Sequence, residues 1–256
     1  MGELRVAAAM CARTWRAVAR RPVTLTFSFV QPLVWIFFFG FLFQHYDLTS
    51  VGQGGRYLDF LVPGVCAMTV LFGASQSGIG LIRDLQTGFL FRILASPARP
   101  SAVLSGKIGA DVARLLAQAM VLLLLGRALG AAVSLAPAAI ARTFSALAAF
   151  AVAHASLSCL VALRTRAQES MATFVHLVNM PLLFTSSALV PERHMPDWLA
   201  AASAVNPLTL AVNVSRSALL TGPVPELGAS LGVLSAIAAA MFATVCLVAR
   251  NLSKAE

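Results

Sequence analysis

Charge is what this sequence has least of. Its 256 residues hold ten Asp and Glu and nineteen Lys and Arg, so 11% of the chain is charged, where a water-soluble globular chain carries roughly a quarter. A surface so poor in charge cannot face water on every side, and lipid must cover part of it. Cysteine is sparse too. Cys11, Cys66, Cys159 and Cys246 lie far apart with no Cys-x-x-Cys pair, which argues against a zinc site and against a disulfide framework. A glycine-rich phosphate loop is missing: its nearest approach, Ser101 to Ile108, has Ser where the first Gly belongs and Ile108 where the hydroxyl belongs. The chain therefore does not hold ATP in that way. No His pairs with Cys or carboxylate at ligand spacing, so no metal is expected, and no Ser, His and acid arrangement points to a hydrolase. No Pro- or Ser-rich linker divides the chain, which reads as one membrane domain over 1–256. The basic residues punctuate apolar runs instead of gathering on a soluble face, which excludes nucleic acid as a partner.

What the chain has in abundance is apolar sequence: 59% hydrophobic residues, sixteen of them Phe, with a mean hydropathy of +0.82. Five stretches free of Asp, Glu, Lys and Arg reach the roughly 20 residues that a hydrocarbon core requires: Pro22 to Tyr46, Phe60 to Ile82, Thr143 to Leu163, Ser170 to Pro191 and Leu227 to Ala249. None alternates like a barrel strand, so each is expected to be helical. Arg13, Arg16, Arg20 and Arg21 precede the first run and place the amino terminus in the cytoplasm. Arg83 and Arg92, Arg164 and Arg166, and Arg250 and Lys254 mark three further cytoplasmic ends. Two consecutive runs that finish on the same side require another crossing between them, so Ile108 to about Leu129 must span despite Asp111 and Arg114. By the same parity, Leu199 to Ser215, broken at Asn206-Pro207, stays outside as a re-entrant or interfacial element. The expectation is an all-α integral membrane fold of six spans, at about 24–43, 60–82, 108–129, 143–163, 170–190 and 227–249. Both termini lie inside the prokaryotic plasma membrane in this scheme, with thirteen Lys and Arg inside, five outside and Arg114 within a span.

Residues 1–21 carry Leu4, Ala8, Cys11, Trp15 and Val18 at spacings of four and three, with Arg13, Arg16 and Arg20 on another face. Two readings stand: an interfacial amphipathic helix whose arginines meet anionic lipid, or a plain positive-inside anchor. The loop from Arg83 to Lys107 has Leu85, Phe89 and Ile93 four apart and is expected to form a short cytoplasmic helix that ends before Pro97. Its Phe89 and Phe91, set beside Arg83, Arg92 and Arg99, suit a protein-binding surface; packing on the membrane surface is the alternative. Asp111 and Arg114, three apart on one helical face, read either as a structural pair or as part of a pathway. Gln31-Pro32 and Asn179-Met180-Pro181 each set an amide beside a helix-weakening proline, as a packed kink or as a moving wall. Ser75, Ser77, Ser156 and Ser158, with Gly73, Gly78 and Gly80, read as small contacts for close helix packing.

Three groups of residues resemble the type-2 permeases of ABC exporters, and within them the daunorubicin-resistance-like membrane subunits. They are Tyr57 to Gly64, with Pro63-Gly64 leading into the second span; Asp84, Gly88, Phe89, Arg92, Leu94 and Pro97 in the cytoplasmic loop; and Pro196-Asp197-Trp198-Leu199, Asn206-Pro207-Leu208-Thr209 and Arg216 in the external stretch. The resemblance implies a permease subunit of an ATP-driven exporter. Asp84, Gly88, Phe89, Phe91, Arg92 and Pro97 would seat a separate nucleotide-binding ATPase that carries ATP and Mg, and a second permease copy would complete the pathway. Gln31, Pro63, Gly64, Asp111, Arg114, Asn179, Trp198, Asn206, Pro207 and Arg216 are the candidates for pathway or framework roles. The expected cargo is a lipophilic drug or lipid-like compound, with a lipid-linked glycan as an alternative cargo and a non-transporting scaffold or receptor as the alternative class.

Overall fold

A computed structural model describes residues 3–19, 22–43, 55–88, 100–220 and 227–255, and these form a bundle of α-helices joined by turns. The order is α1 (Glu3–Ala19), α2 (Pro22–Leu42), α3 (Tyr57–Gln86), α4 (Pro100–Ala128), α5 (Pro137–Thr165), α6 (Gln168–Phe174), a π-turn (Val175–Asn179), α7 (Met180–Phe184), α8 (Asp197–Val205), α9 (Pro207–Leu219) and α10 (Leu227–Ala255). Four of the helices, within α3, α4, α5 and α10, are long and apolar enough to cross a membrane. Helix is the only local solution for such runs, because each backbone N–H and C=O is satisfied within the segment.

Proline and the left-handed region set several of the ends. Pro137 and Pro207 occupy first-turn positions, where a missing N–H costs nothing. Arg166 closes α5 at φ 54°, and Gly88 takes φ 67° just beyond α3, a conformation that favours glycine.

Helix α3 is the axis of the bundle. Of its most apolar stretch 83% is buried, against 17% for α10, which lies at the periphery. Helices α2, α4, α5 and α9 pack around α3, while α1 lies along α4 and α10 along α5. On α2, Val30, Val34, Phe37, Phe38 and Phe41 recur at helical spacing and all face outward. An apolar exterior over a buried polar interior is the arrangement that hydrocarbon surroundings require.

Two elements depart from the expected spans. The fifth run is not one regular helix: it passes from α6 through five residues of π-helix into α7 and stops at Phe184, short of the predicted 190. The third begins at Pro100 instead of Ile108, since Lys107 and Asp111 satisfy one another inside the helix, 3.6 Å apart, and the helix need not start after the charge. The stretch before the last span is two helices, α8 and α9, that meet at Asn206-Pro207. Its apex Asn206 donates to Leu182 O at 2.8 Å, and its far end returns to the mouth of the bundle, where Leu219 O accepts from Ser134 N at 2.8 Å.

Candidate functional site

The bundle has two polar ends and a polar middle. At one end, here the Asp59 end, the Asp59 carboxylate is buried and accepts from Ala132 N at 2.6 Å and from Arg56 N at 3.2 Å, so it caps α3 and ties it to the α4–α5 turn. Tyr57 Oη donates to Leu189 O at 2.9 Å. Arg216, on α9, is 5% exposed and donates to Phe60 O, Ala188 O and Ser187 Oγ at 3.1, 2.9 and 3.5 Å, with its guanidinium 3.4 Å above the Phe60 ring. Gly64 is required here, since a Cβ would run into the Ala188 carbonyl. Pro63 is buried one residue earlier. Asn206 caps α9 by accepting from Leu208 N at 2.8 Å, and Pro207 is the first residue of that helix. Trp198 stands 71% exposed on α8 and joins none of these groups.

In the middle, Asn179 of the π-turn donates to Ser75 Oγ at 2.8 Å, and His154 Nε2 lies 3.0 Å from both Ser75 Oγ and Asn179 Oδ1. Ser158 Oγ donates to Ser75 O at 2.7 Å and accepts from Gly78 N at 3.1 Å. These bonds join α3, α5 and the π-turn into one block. The wide turn is what brings Asn179 onto the inward face, and such turns recur at functional positions.

At the Asp84 end, α1, α2, α3 and α4 enclose a cavity of about 630 Å³. One wall is a ladder of charge. Lys107, Asp111, Arg114 and Gln118 follow one another at spacings of four, three and four, and so share one face of α4. Opposite them on α3 stand Gly80, Ser77 and Gly73, small enough to leave room. Asp111 accepts from Ser77 Oγ at 2.6 Å and pairs with Lys107 Nζ at 3.6 Å. Arg114 donates to Gly73 O at 3.4 Å, and Gln118 Nε2 to Ser28 O at 2.8 Å. The expected Asp111–Arg114 pair is therefore replaced: Lys107, one turn back, takes the carboxylate and frees Arg114 to face the cavity. Gln31, Trp35, Phe72 and Met68 also line the wall.

Asp84 closes the rim. Its carboxylate receives a two-pronged contact from Arg13 on α1, at 2.7 and 3.3 Å. Arg13 thus faces its own chain, where one of the two readings of residues 1–21 pointed it at lipid. Gly88 lies one turn further along the chain, and Phe89, Phe91, Arg92 and Pro97 fall outside the described residues. Sequence reasoning did not single out Ser28 or Gln118, and read Ser77 only as a packing contact; the four-three-four spacing from Lys107 to Gln118 was the available signal.

Comparison with known proteins places this geometry in a wider group. A family model described as "ABC-2 type transporter" matches residues 6–220. A protein of Cyanophora paradoxa named "Putative transport permease ycf38" is 33% identical over 80% of this chain and 70% of its own length. Its namesake from Pyropia yezoensis is 30% identical over 81% and 72%. The daunorubicin resistance ABC transporter permease protein DrrB1 of Streptomyces coeruleorubidus is 26% identical over 79% and 71%.

Proposed function

The chain belongs to the ABC-2 type transporter family, and on that premise we propose that it is the permease subunit of an ATP-binding-cassette exporter, moving a lipophilic or lipid-like compound out of the cytoplasm. In this reading six spans cross a prokaryotic plasma membrane with both termini inside, so the Asp84 end faces the cytosol. A second permease copy completes the pathway, and ATP is hydrolysed on partner chains. The observation that carries the reading is the position of the 630 Å³ cavity: its rim is the Arg13–Asp84 pair, and Asp84 lies just before the segment in which the family resemblance sets the ATPase seat.

The mechanism follows from that continuity. Closure of the ATPase pair pushes on residues 84–97, and Asp84 passes the displacement to α1 through Arg13 and to the last turn of α3. Helices α1 and α3 are two of the four that wall the cavity, so its width changes with the push. A mixed lining of Trp35, Phe72 and Met68 with glutamine amides suits an amphipathic cargo. Relatives whose names carry daunorubicin resistance and doxorubicin resistance favour the same class.

Reconstitution with a candidate nucleotide-binding subunit, sought first in the neighbouring reading frames, tests the proposal. ATP-dependent export of a candidate compound is expected from the complex, and loss of export with normal membrane insertion from the Phe89→Ala/Arg92→Ala chain. Unchanged export by that double variant would remove the coupling assignment.

A further inference from the structure

The cavity at the Asp84 end carries more positive charge than its own carboxylates neutralise. Four cations line it, Arg13, Arg83, Lys107 and Arg114, against two acids. Asp84 is held by Arg13 and Asp111 by Lys107 and Ser77. Arg83 and Arg114 are left with no carboxylate within ion-pair reach among the described residues, and Arg114 has only a long bond to a backbone oxygen. The half-buried Arg114 guanidinium keeps a charge that no carboxylate of the wall neutralises, and an anion in the cavity would do so.

The rest of the wall gives the shape of that anion. Beyond Arg114 the lining includes an apolar patch of Trp35, Phe72 and Met68 beside Gln118, Ser28 and Thr69, while Gln31, Gln76 and Arg83 are exposed and leave the cavity open to its surroundings. A fixed cation next to an apolar recess, in a space of about 630 Å³, matches a molecule with an acidic head and a hydrocarbon body. A neutral lipophile would leave Arg114 unpaired, and a cationic one would also set a second positive charge beside it.

We propose that this cavity binds an acidic amphiphile, a phosphate or carboxylate head on an alkyl chain, with Arg114 holding the head, Arg83 drawing it in, and Trp35, Phe72 and Met68 receiving the chain. As a statement about cargo it rests on the export reading; as a statement about binding it stands without any ATPase.

The test uses the full chain in phosphatidylcholine nanodiscs with three photoreactive probes: dodecyl phosphate, dodecyltrimethylammonium and dodecyl maltoside, each with a diazirine at mid-chain. Expected are adducts on the Trp35, Met68 and Phe72 walls, with the phosphate labelling about tenfold more strongly than the other two. Arg114→Gln should remove that advantage, and Arg114→Lys, which keeps the charge, should retain most of it and control for misfolding. A photoreactive phosphatidylglycerol placed in the bilayer separates the sources: the same adducts from it identify a membrane lipid, and adducts from dodecyl phosphate alone identify a diffusing amphiphile. Equal labelling by the acidic and cationic probes, or an Arg114→Gln chain labelled like the original, would overturn the proposal while leaving ATP-driven export to its own test.

Discussion

A buried guanidinium with no carboxylate in ion-pair reach has to be solvated by something else, and Arg216 is solvated by carbonyls. Two backbone oxygens, a hydroxyl and the face of Phe60 replace its water. Arg216→Ala removes these donations and the ring contact, leaves a cavity beside Phe60, and is expected to lower stability by about 3 kcal/mol, read as thermal unfolding of the purified chain in detergent. Arg216→Lys keeps the charge but cannot span the same oxygens, and about 2 kcal/mol should still be lost. A chain as stable as the original would mean that Arg216 is not a framework residue. Gly64→Ala sets a methyl group against the Ala188 carbonyl, backbone against side chain with nothing flexible to yield. About 2 kcal/mol is expected, seen as a lower yield of folded protein.

Among elements, the α8–α9 turn shows how far a sequence pattern reaches. Asn206-Pro207 announces a break, because Pro lacks an N–H and Asn caps well, and the break is where it was expected. The second job of Asn206, holding Leu182 O and Thr185 Oγ1, comes from a segment some twenty residues away and leaves no mark on the local pattern. Asn206→Asp keeps the cap acceptor but loses both donations. It should therefore be destabilised nearly as much as Asn206→Ala, by about 1 to 2 kcal/mol; an Asp variant as stable as the original would leave the cap as the whole effect. The π-turn was illegible for a different reason. Its five residues differ from α-helix only in which carbonyl each N–H finds, and side-chain periodicity over so short a span does not register that. Between α1 and α3, the Arg13–Asp84 contact should show a coupling energy of about 1 kcal/mol or less in a double-mutant cycle, since Arg13 is 42% exposed. Reversal of both charges should restore what either single reversal removes.

For the whole molecule, the proposed orientation makes a direct prediction. In a chain cleared of its four native cysteines, Thr87→Cys should react with a membrane-impermeant maleimide only in inverted vesicles, and Ala132→Cys only in intact cells. Labelling of both from one side would break the six-span scheme. The long apolar helices were legible because hydrocarbon imposes one demand, the absence of charge, over some twenty residues at a time. The cavity was not, because its wall is assembled from four helices and its charges look, one by one, like loop or snorkelling residues. Only the meeting of α3 and α4 shows that Ser77 belongs to Asp111.

The two polar ends also differ in how firmly they are shut. An ion pair as exposed as Arg13–Asp84 contributes so little that ambient heat separates it often, on the order of one moment in six at about 1 kcal/mol. Buried Arg216, held by three oxygens, admits no such breathing. The Asp84 end is therefore held by a contact that opens readily, and the Asp59 end by one that does not.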